Sequence, residues 1–140
     1  MADFDEAFEK TEQHEGYPGW VDDPDDPGGE TVAGLTRKDN PEFLGWKLVD
    51  QVKQRLGAKA TAATINRELA KEPALRALVK AHYKLRYWAP LKLDDEPNRR
   101  LANTVYNFAV NAGPRPSLAA LQRARGRAEQ ALAAGGLTDV

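Results

Sequence analysis

Apolar residues recur along most of this chain at helical spacing, and one acidic, glycine- and proline-rich stretch breaks the rhythm. Phe4 and Phe8 lie four apart in Ala2–Glu15, which predicts a helix with Asp3 as N-cap and Glu6 as its capping-box partner. Continued at helical spacing, that face passes through Thr11 to Glu15. Gly16, Pro18 and Gly19 then stop the helix. Asn40 as cap and Pro41 in the first turn predict a second helix through Leu56, ended by Gly57. Thr61–Ala70 reads as a short helix, and Pro73 opens a longer one through Trp88, stopped by Pro90. Leu75, Leu78, Val79, His82 and Leu85 fall on the core-facing side of that longer helix. Asn98–Asn111 follows, with Leu101, Val105, Phe108 and Ala109 as its apolar face. After Pro114 and Pro116 a last helix reaches Ala134, with Arg123, Arg125 and Arg127 on its surface, and residues 133–140 read as a frayed tail. The fold class is mainly α with a small β-hairpin.

The hairpin comes from the stretch that breaks the pattern. Residues 16–37 hold Asp22, Asp23, Asp25, Asp26 and Glu30 among Pro24, Pro27, Gly28 and Gly29. This punctuation forbids a helix and predicts tight turns between short extended pieces, with Thr31–Thr36 as the second arm of a hairpin. Carboxylates crowded together repel one another, so the loop must accommodate something positive: a metal, a basic neighbour or a cationic transition state. An EF-hand-type calcium loop fits poorly, because Pro24 and Pro27 interrupt the ligand register and no Glu stands at the closing position.

Glu15 changes the picture most. An acidic side chain on an inward helix face, in the last turn, meets both desolvation and the negative end of the helix dipole. Both disfavour its charged form and predict a retained proton, which is the state a general acid needs. The bland alternative is a solvated helix-end Glu. Glycoside hydrolysis asks for such an acid and for a carboxylate on the far side of the sugar. Glu15 followed by an Asp-rich turn and then Thr31 supplies those parts within one short stretch.

Composition narrows the classes. With 140 residues and 41% hydrophobic content, the chain can bury one real core. It has no Cys, which excludes a disulfide, a thiolate metal site and a cysteine nucleophile, and two His make a poor metal site for an amidase or peptidase. No metal or cofactor is expected. His14 and His82 receive no role, His82 reading as a core histidine. Residues 1–50 carry 4 Lys/Arg against 14 Asp/Glu, whereas residues 51–140 carry 16 against 7. The basic residues are spread over several helices without a cluster or a DNA-reading motif, so nucleic acid is not an expected partner. No stretch is apolar enough to span a membrane, and Met1–Lys10 is too acidic and polar for a signal peptide. A monomer made in the cytoplasm is expected, with another factor exporting it if its target lies outside.

Several motifs together resemble a known family. Glu15-Gly16-Tyr17, Asp23-Pro24-Asp25-Asp26-Pro27-Gly28-Gly29-Glu30-Thr31 and Gly34-Leu35-Thr36 are similar to the signature of the glycoside hydrolase 108 N-acetylmuramidases. These are lysozyme-superfamily, bacteriolytic endolysins of phages and related bacterial secreted muramidases. The resemblance implies a lysozyme-like helical fold and hydrolysis of bacterial peptidoglycan, the cell-wall glycan, between N-acetylmuramic acid and N-acetylglucosamine. It implies Glu15 as the acid, with Asp26 (or Asp25) and Thr31 stabilising charge or positioning the water. Ten residues separate Glu15 from Asp26, a longer connection than the family pattern has.

Tyr17 and Trp20 in the loop are the candidate sugar-stacking residues, whereas Trp46 and Trp88 suit helix packing. Tyr106, Asn107 and Asn111 carry groups suited to sugar hydroxyls and acetamides, although helix capping explains the Asn residues equally well. The string Tyr106-Asn107-Phe108-Ala109-Val110-Asn111-Ala112-Gly113, followed by Leu121-Gln122, resembles the start of the peptidoglycan-binding segment of these muramidases, with Asn107 where the family has Asp. The implied organisation is a catalytic region over 1–91 and a shortened, helical binding segment over 92–140 packed on it, with Lys92–Asn98 as the boundary. The other class the residues allow is a non-catalytic wall-binding or virion structural protein that keeps the fold.

Overall fold

The computed structural model describes residues 2–111 and 118–135. Among the described residues there are six α-helices and one small antiparallel sheet: α1 (Phe4–Glu15), β1 (Val21–Asp22), β2 (Glu30–Val32), β3 (Leu35–Thr36), α2 (Trp46–Leu56), α3 (Ala62–Leu69), α4 (Pro73–Tyr83), α5 (Arg99–Asn111) and α6 (Leu118–Ala133). The mainly helical class with a minor sheet is therefore what the chain adopts. The expected break at Pro114 and Pro116 and the tail beyond residue 135 lie outside the described residues.

Two compact units divide the chain, Met1–Thr11 with Tyr83–Val140, and Glu12–His82. The spatial division runs through α1 and the end of α4. In the first unit the core is aromatic. Phe4 packs on Phe8, Trp88 and Tyr106 with ring centroids 5.3 to 5.8 Å apart, and Trp88 meets Tyr106 edge-on at 5.7 Å. Such offset and edge-to-face pairs add to the burial of large rings. The Trp88 indole N–H donates to Asp94 (2.8 Å), so this ring enters the core without stranding its polar group. Asp3 caps α1 through its Oδ1, which accepts from the N–H groups of Asp5 and Glu6. Asn98 caps α5 by accepting from the Leu101 N–H (3.1 Å).

Three expectations fail in this unit. The predicted helix 73–88 stays α-helical only to Tyr83; Lys84–Trp88 widens into a π-helical turn, followed by 3₁₀ turns at Ala89–Leu91 and Leu93–Asp95. A wider turn rotates later side chains off the stripe, so Leu85 is 66% exposed while Tyr87 and Trp88 take the buried places. Phe108 on α5 is 39% exposed, its expected place being filled by Ala102 and Tyr106. Arg125 is not a free surface residue: it donates to the Leu91 carbonyl and to Glu96, tying α6 to the 91–96 segment.

The second unit has an aliphatic core of Val32, Leu35, Val49, Val52, Ile65, Leu69, Leu75 and Val79, with Phe43 and Trp46. Thr61 caps α3 by accepting from the Thr64 N–H, and Gly57 ends α2 with φ +86°. The second helix begins at Trp46 rather than Pro41, because Asn40–Gly45 is drawn into turns. Phe43 folds back over Gly45, where any added Cβ would collide with its ring. Asn40 is buried and bonds to His82 (3.0 Å) and to the Thr36 carbonyl instead of capping a helix. Thr31–Thr36 does not form one arm of a hairpin; it is the hairpin, turning at Ala33 (φ +50°) and Gly34 (φ +81°). Two successive positive φ values suit the twist of a tight two-residue turn. Val21–Asp22 then adds as the third strand, in the order β1-β2-β3.

Candidate active site

The site is built where α1 ends. Gly16 takes φ +75° and its N–H closes the helix on the Glu12 carbonyl (3.0 Å), leaving Glu15 as the last helical residue. Gly19 takes φ +59° so close to the Gly16 carbonyl oxygen that a Cβ there would collide with it. These two glycines let the chain reverse within four residues. The reversed segment is fastened at once, as the Pro18 carbonyl accepts from the Ala33 N–H (2.7 Å) at the hairpin turn. The Asn66 side-chain amide then clamps the Trp20 backbone from both sides, at 2.7 and 2.9 Å. So the loop leaving Glu15 is tied to the hairpin that carries Thr31.

The acidic loop is a pair of aspartate turns. Asp23 accepts from the Asp25 N–H (2.9 Å) and Asp26 from the Gly28 N–H (2.8 Å), each side chain capping the backbone two residues on. A Cβ placed on Gly28 would lie 3.3 Å from Asp26 Oδ1 and 3.5 Å from the Thr36 methyl, so Asp26 and Thr36 flank this glycine. Thr36 pairs with Thr31 across the ladder, and Thr31 pairs with Val21. Cross-strand partners share a face. Hence Val21, Thr31 and Thr36 form one row on the sheet, with Asp26 at its end. Asp25 has only its backbone N–H engaged among the described contacts. The Thr31 hydroxyl makes one long bond to the Gly29 carbonyl (3.4 Å), and the Thr36 hydroxyl donates to Asp39 (2.9 Å).

Glu15 itself is exposed, and its carboxylate engages none of the described residues. The expected shielding is therefore absent from the free chain. The buried stripe of α1 is Phe4, Ala7, Phe8 and Thr11, and the last turn carries Glu15 clear of the core. Tyr17 is half-buried. Burial, then the nearby Glu12 carboxylate, push its phenol above the ordinary value, against the opposing pull of Arg76. Its hydroxyl oxygen is covered and has no hydrogen-bond partner among the described residues.

The residue that sequence reasoning passed over is Glu30. Counted above only as one more acidic residue of the loop, it is 8% exposed at its side chain and accepts three bonds of 2.8 Å. They come from the Trp20 indole, from Arg37 and from Lys53. Burial alone would push its carboxyl up, but the bonds from Lys53, Arg37 and Trp20 outweigh it and hold the group below the usual carboxylate value. Arg37 also grips Asp50 in a fork (2.8 and 2.6 Å), and these contacts hold Asp50 low and Arg37 high. Alternation carried the missed signal: Glu30 sits two positions before Val32, and both face inward.

Two of the expected sugar-binding residues, Trp20 and Tyr106, are buried. Trp20 is buried, with its N–H committed to Glu30 and the Lys53 ammonium 5.7 Å from its ring centre, so it offers no open face. Tyr106 is fully buried between Phe4 and Trp88. Asn107 is half-buried and Asn111 exposed, and the Asn111 amide donates to the Asn107 carbonyl (2.9 Å), a helix-end bond. These three residues of α5 belong to the first unit, while Glu15, Asp26 and Thr31 belong to the second. Among the described residues, no group of three or more His, Cys, Asp or Glu side chains converges as a metal site.

The model of the family described as glycosyl hydrolase 108 matches residues 8–113, well over half of the chain. No curated protein and no solved structure matches it.

Proposed function

The chain belongs to the glycosyl hydrolase 108 family, and from that premise we propose that it is a peptidoglycan N-acetylmuramidase. The bond broken joins the anomeric carbon of N-acetylmuramic acid to an oxygen of N-acetylglucosamine. Glu15 gives its proton to that oxygen as the bond breaks, and water adds to the anomeric carbon. Asp26, at the end of the Thr31 row, takes the proton from the water or faces the positive charge on the sugar, and the Thr31 hydroxyl holds the water. The separation of the Glu15 and Asp26 carboxyls in the glycan complex decides between inversion and retention.

Exposure of Glu15 in the free chain sets a condition on this mechanism. A retained proton needs desolvation, so the glycan strand itself must supply it by covering the end of α1. One observation carries the reading: the loop leaving Glu15 is bonded at Pro18 to the Thr31 hairpin, and Asp26 and that hairpin's Thr36 flank Gly28. Residues 92–140 would assist by holding the wall polymer, and export by another factor would bring the protein to it. Purified peptidoglycan incubated with the chain tests the proposal. New reducing ends ending in N-acetylmuramic acid, lost in Glu15→Gln, are the expected result; none from the unaltered chain overturns it. The long connection between Glu15 and Asp26 and the exposure of Glu15 favour one rival, a wall-binding protein without catalysis. Binding to peptidoglycan with no cleavage would establish that rival.

A further inference from the structure

The sheet carrying Thr31 is too small to hold its own register. β1 and β3 supply two residues each, and the ladder consists of Val21 opposite Thr31, Asp22 opposite Glu30, Thr31 opposite Thr36 and Val32 opposite Leu35. Strands of this length are weakly specified unless one face is pinned, and a slip of one residue turns every side chain to the other face. Such a slip would carry the Thr31 hydroxyl inward, away from Val21 and Thr36.

Glu30 supplies the pin. Its three bonds reach three separate places: Trp20 just before β1, Arg37 just after β3, and Lys53 on α2. Arg37 is fastened in turn to Asp50 on α2. One carboxylate thus joins both ends of the sheet to the same helix, through charge-assisted bonds that demand direction as well as proximity. Buried apolar side chains such as Val32 resist a one-residue slip, but they do not fix direction; the bonds to Glu30 add that directional restraint on β2. We infer that Glu30 is the positioning residue of the reaction proposed above, holding β2 so that the neighbouring Thr31 presents its hydroxyl on the outer row. Glu30 is buried and does not itself touch the glycan, so its effect on the chemistry runs through Thr31. This inference rests on the muramidase reading.

A double-mutant cycle tests it, read as reducing-end release from purified peptidoglycan over a range of substrate concentrations. The chains are the unaltered protein, Glu30→Gln, Thr31→Ala and the double variant, each shown folded by circular dichroism at the assay temperature. Glu30→Gln should lower the rate at saturating peptidoglycan by ~10- to 100-fold, the scale of a small misplacement at a reacting centre, with the half-saturating concentration little changed. In the Thr31→Ala background the same substitution should change the rate by less than about twofold, because the positioned hydroxyl is already gone. Lys53→Gln removes one donor from a partly exposed position and goes through the same cycle, so a Glu30→Gln chain that does not fold leaves the question to Lys53. An equal loss in both backgrounds, or a Thr31→Ala chain as active as the original, overturns the positioning role while leaving the muramidase reading in place. No cleavage by the unaltered chain removes both.

Discussion

The two compact units are held together by different physics. Met1–Thr11 with Tyr83–Val140 is centred on stacked and edge-on rings, Phe4, Phe8, Tyr83, Tyr87, Trp88 and Tyr106. Glu12–His82 also has a small apolar core, but its sheet is fixed by a charge cluster of Glu30, Arg37, Lys53 and Asp50. Ring packing tolerates small shifts, since dispersion and burial depend only weakly on direction. Charge-assisted bonds do not; both units contain some, Arg125 with Glu96 among them, but the cluster that ties a sheet lies in the unit carrying Glu15, Asp26 and Thr31. The difference teaches where accuracy is required: a scaffold needs bulk burial, whereas a loop with the role proposed for Glu15 to Thr31 needs a defined register.

Expected outcomes follow from that contrast, and each can break it. Glu15→Gln should reduce glycan cleavage by about 10²–10⁴-fold, the usual worth of a general acid. Because Glu15 is exposed, the melting temperature should stay unchanged, and a large drop would show that the residue has a structural task. Trp88→Ala removes a fully buried ring and should cost ~3–5 kcal/mol in urea unfolding at any pH. Glu30→Ala should cost less, about 1–3 kcal/mol at neutral pH: the buried Trp20 indole N–H loses its acceptor, while Arg37 and Lys53 stay partly solvated. Unlike the tryptophan effect, this one should depend on pH. The Glu30 and Asp50 carboxyls are held below their ordinary values in the folded chain. Their contribution is therefore present above about pH 4.3, where the unfolded Glu carboxyl ionises, and is lost as pH falls through the lower folded values. Urea midpoints from pH 7 to 3 should thus converge for Glu30→Gln and the unaltered chain; parallel curves would deny the cluster its role. Smallest of all, Leu85→Ser and Phe108→Ser should change stability by no more than about 0.5 kcal/mol, despite their apolar character.

The match between pattern and structure is uneven for a physical reason. The cap at Asp3 and the stops at Gly16 and Gly57 were legible, because each works through its own backbone within a few residues. Spacing failed where long-range packing overrode it. At Leu85 the π-helical turn displaced the stripe, and at Pro41 the Phe43 ring and the buried Asn40–His82 pair delayed the helix. The Trp20 reading failed similarly, since a loop tryptophan looks exposed until Glu30 and Lys53 are known to lie beside it.

By itself the sequence determined the helical class, the reversal after Glu15 and the family signature spanning Glu15 to Thr36, all set by short-range backbone chemistry. Only the tertiary structure decided that Glu15 stands in solvent, that Asp26 rather than Asp25 borders the Thr31 row, and that Glu30 is buried. The burial of Glu30 and Trp20 depends on partners tens of residues away, Lys53 and Asn66 among them, whose approach no local pattern encodes.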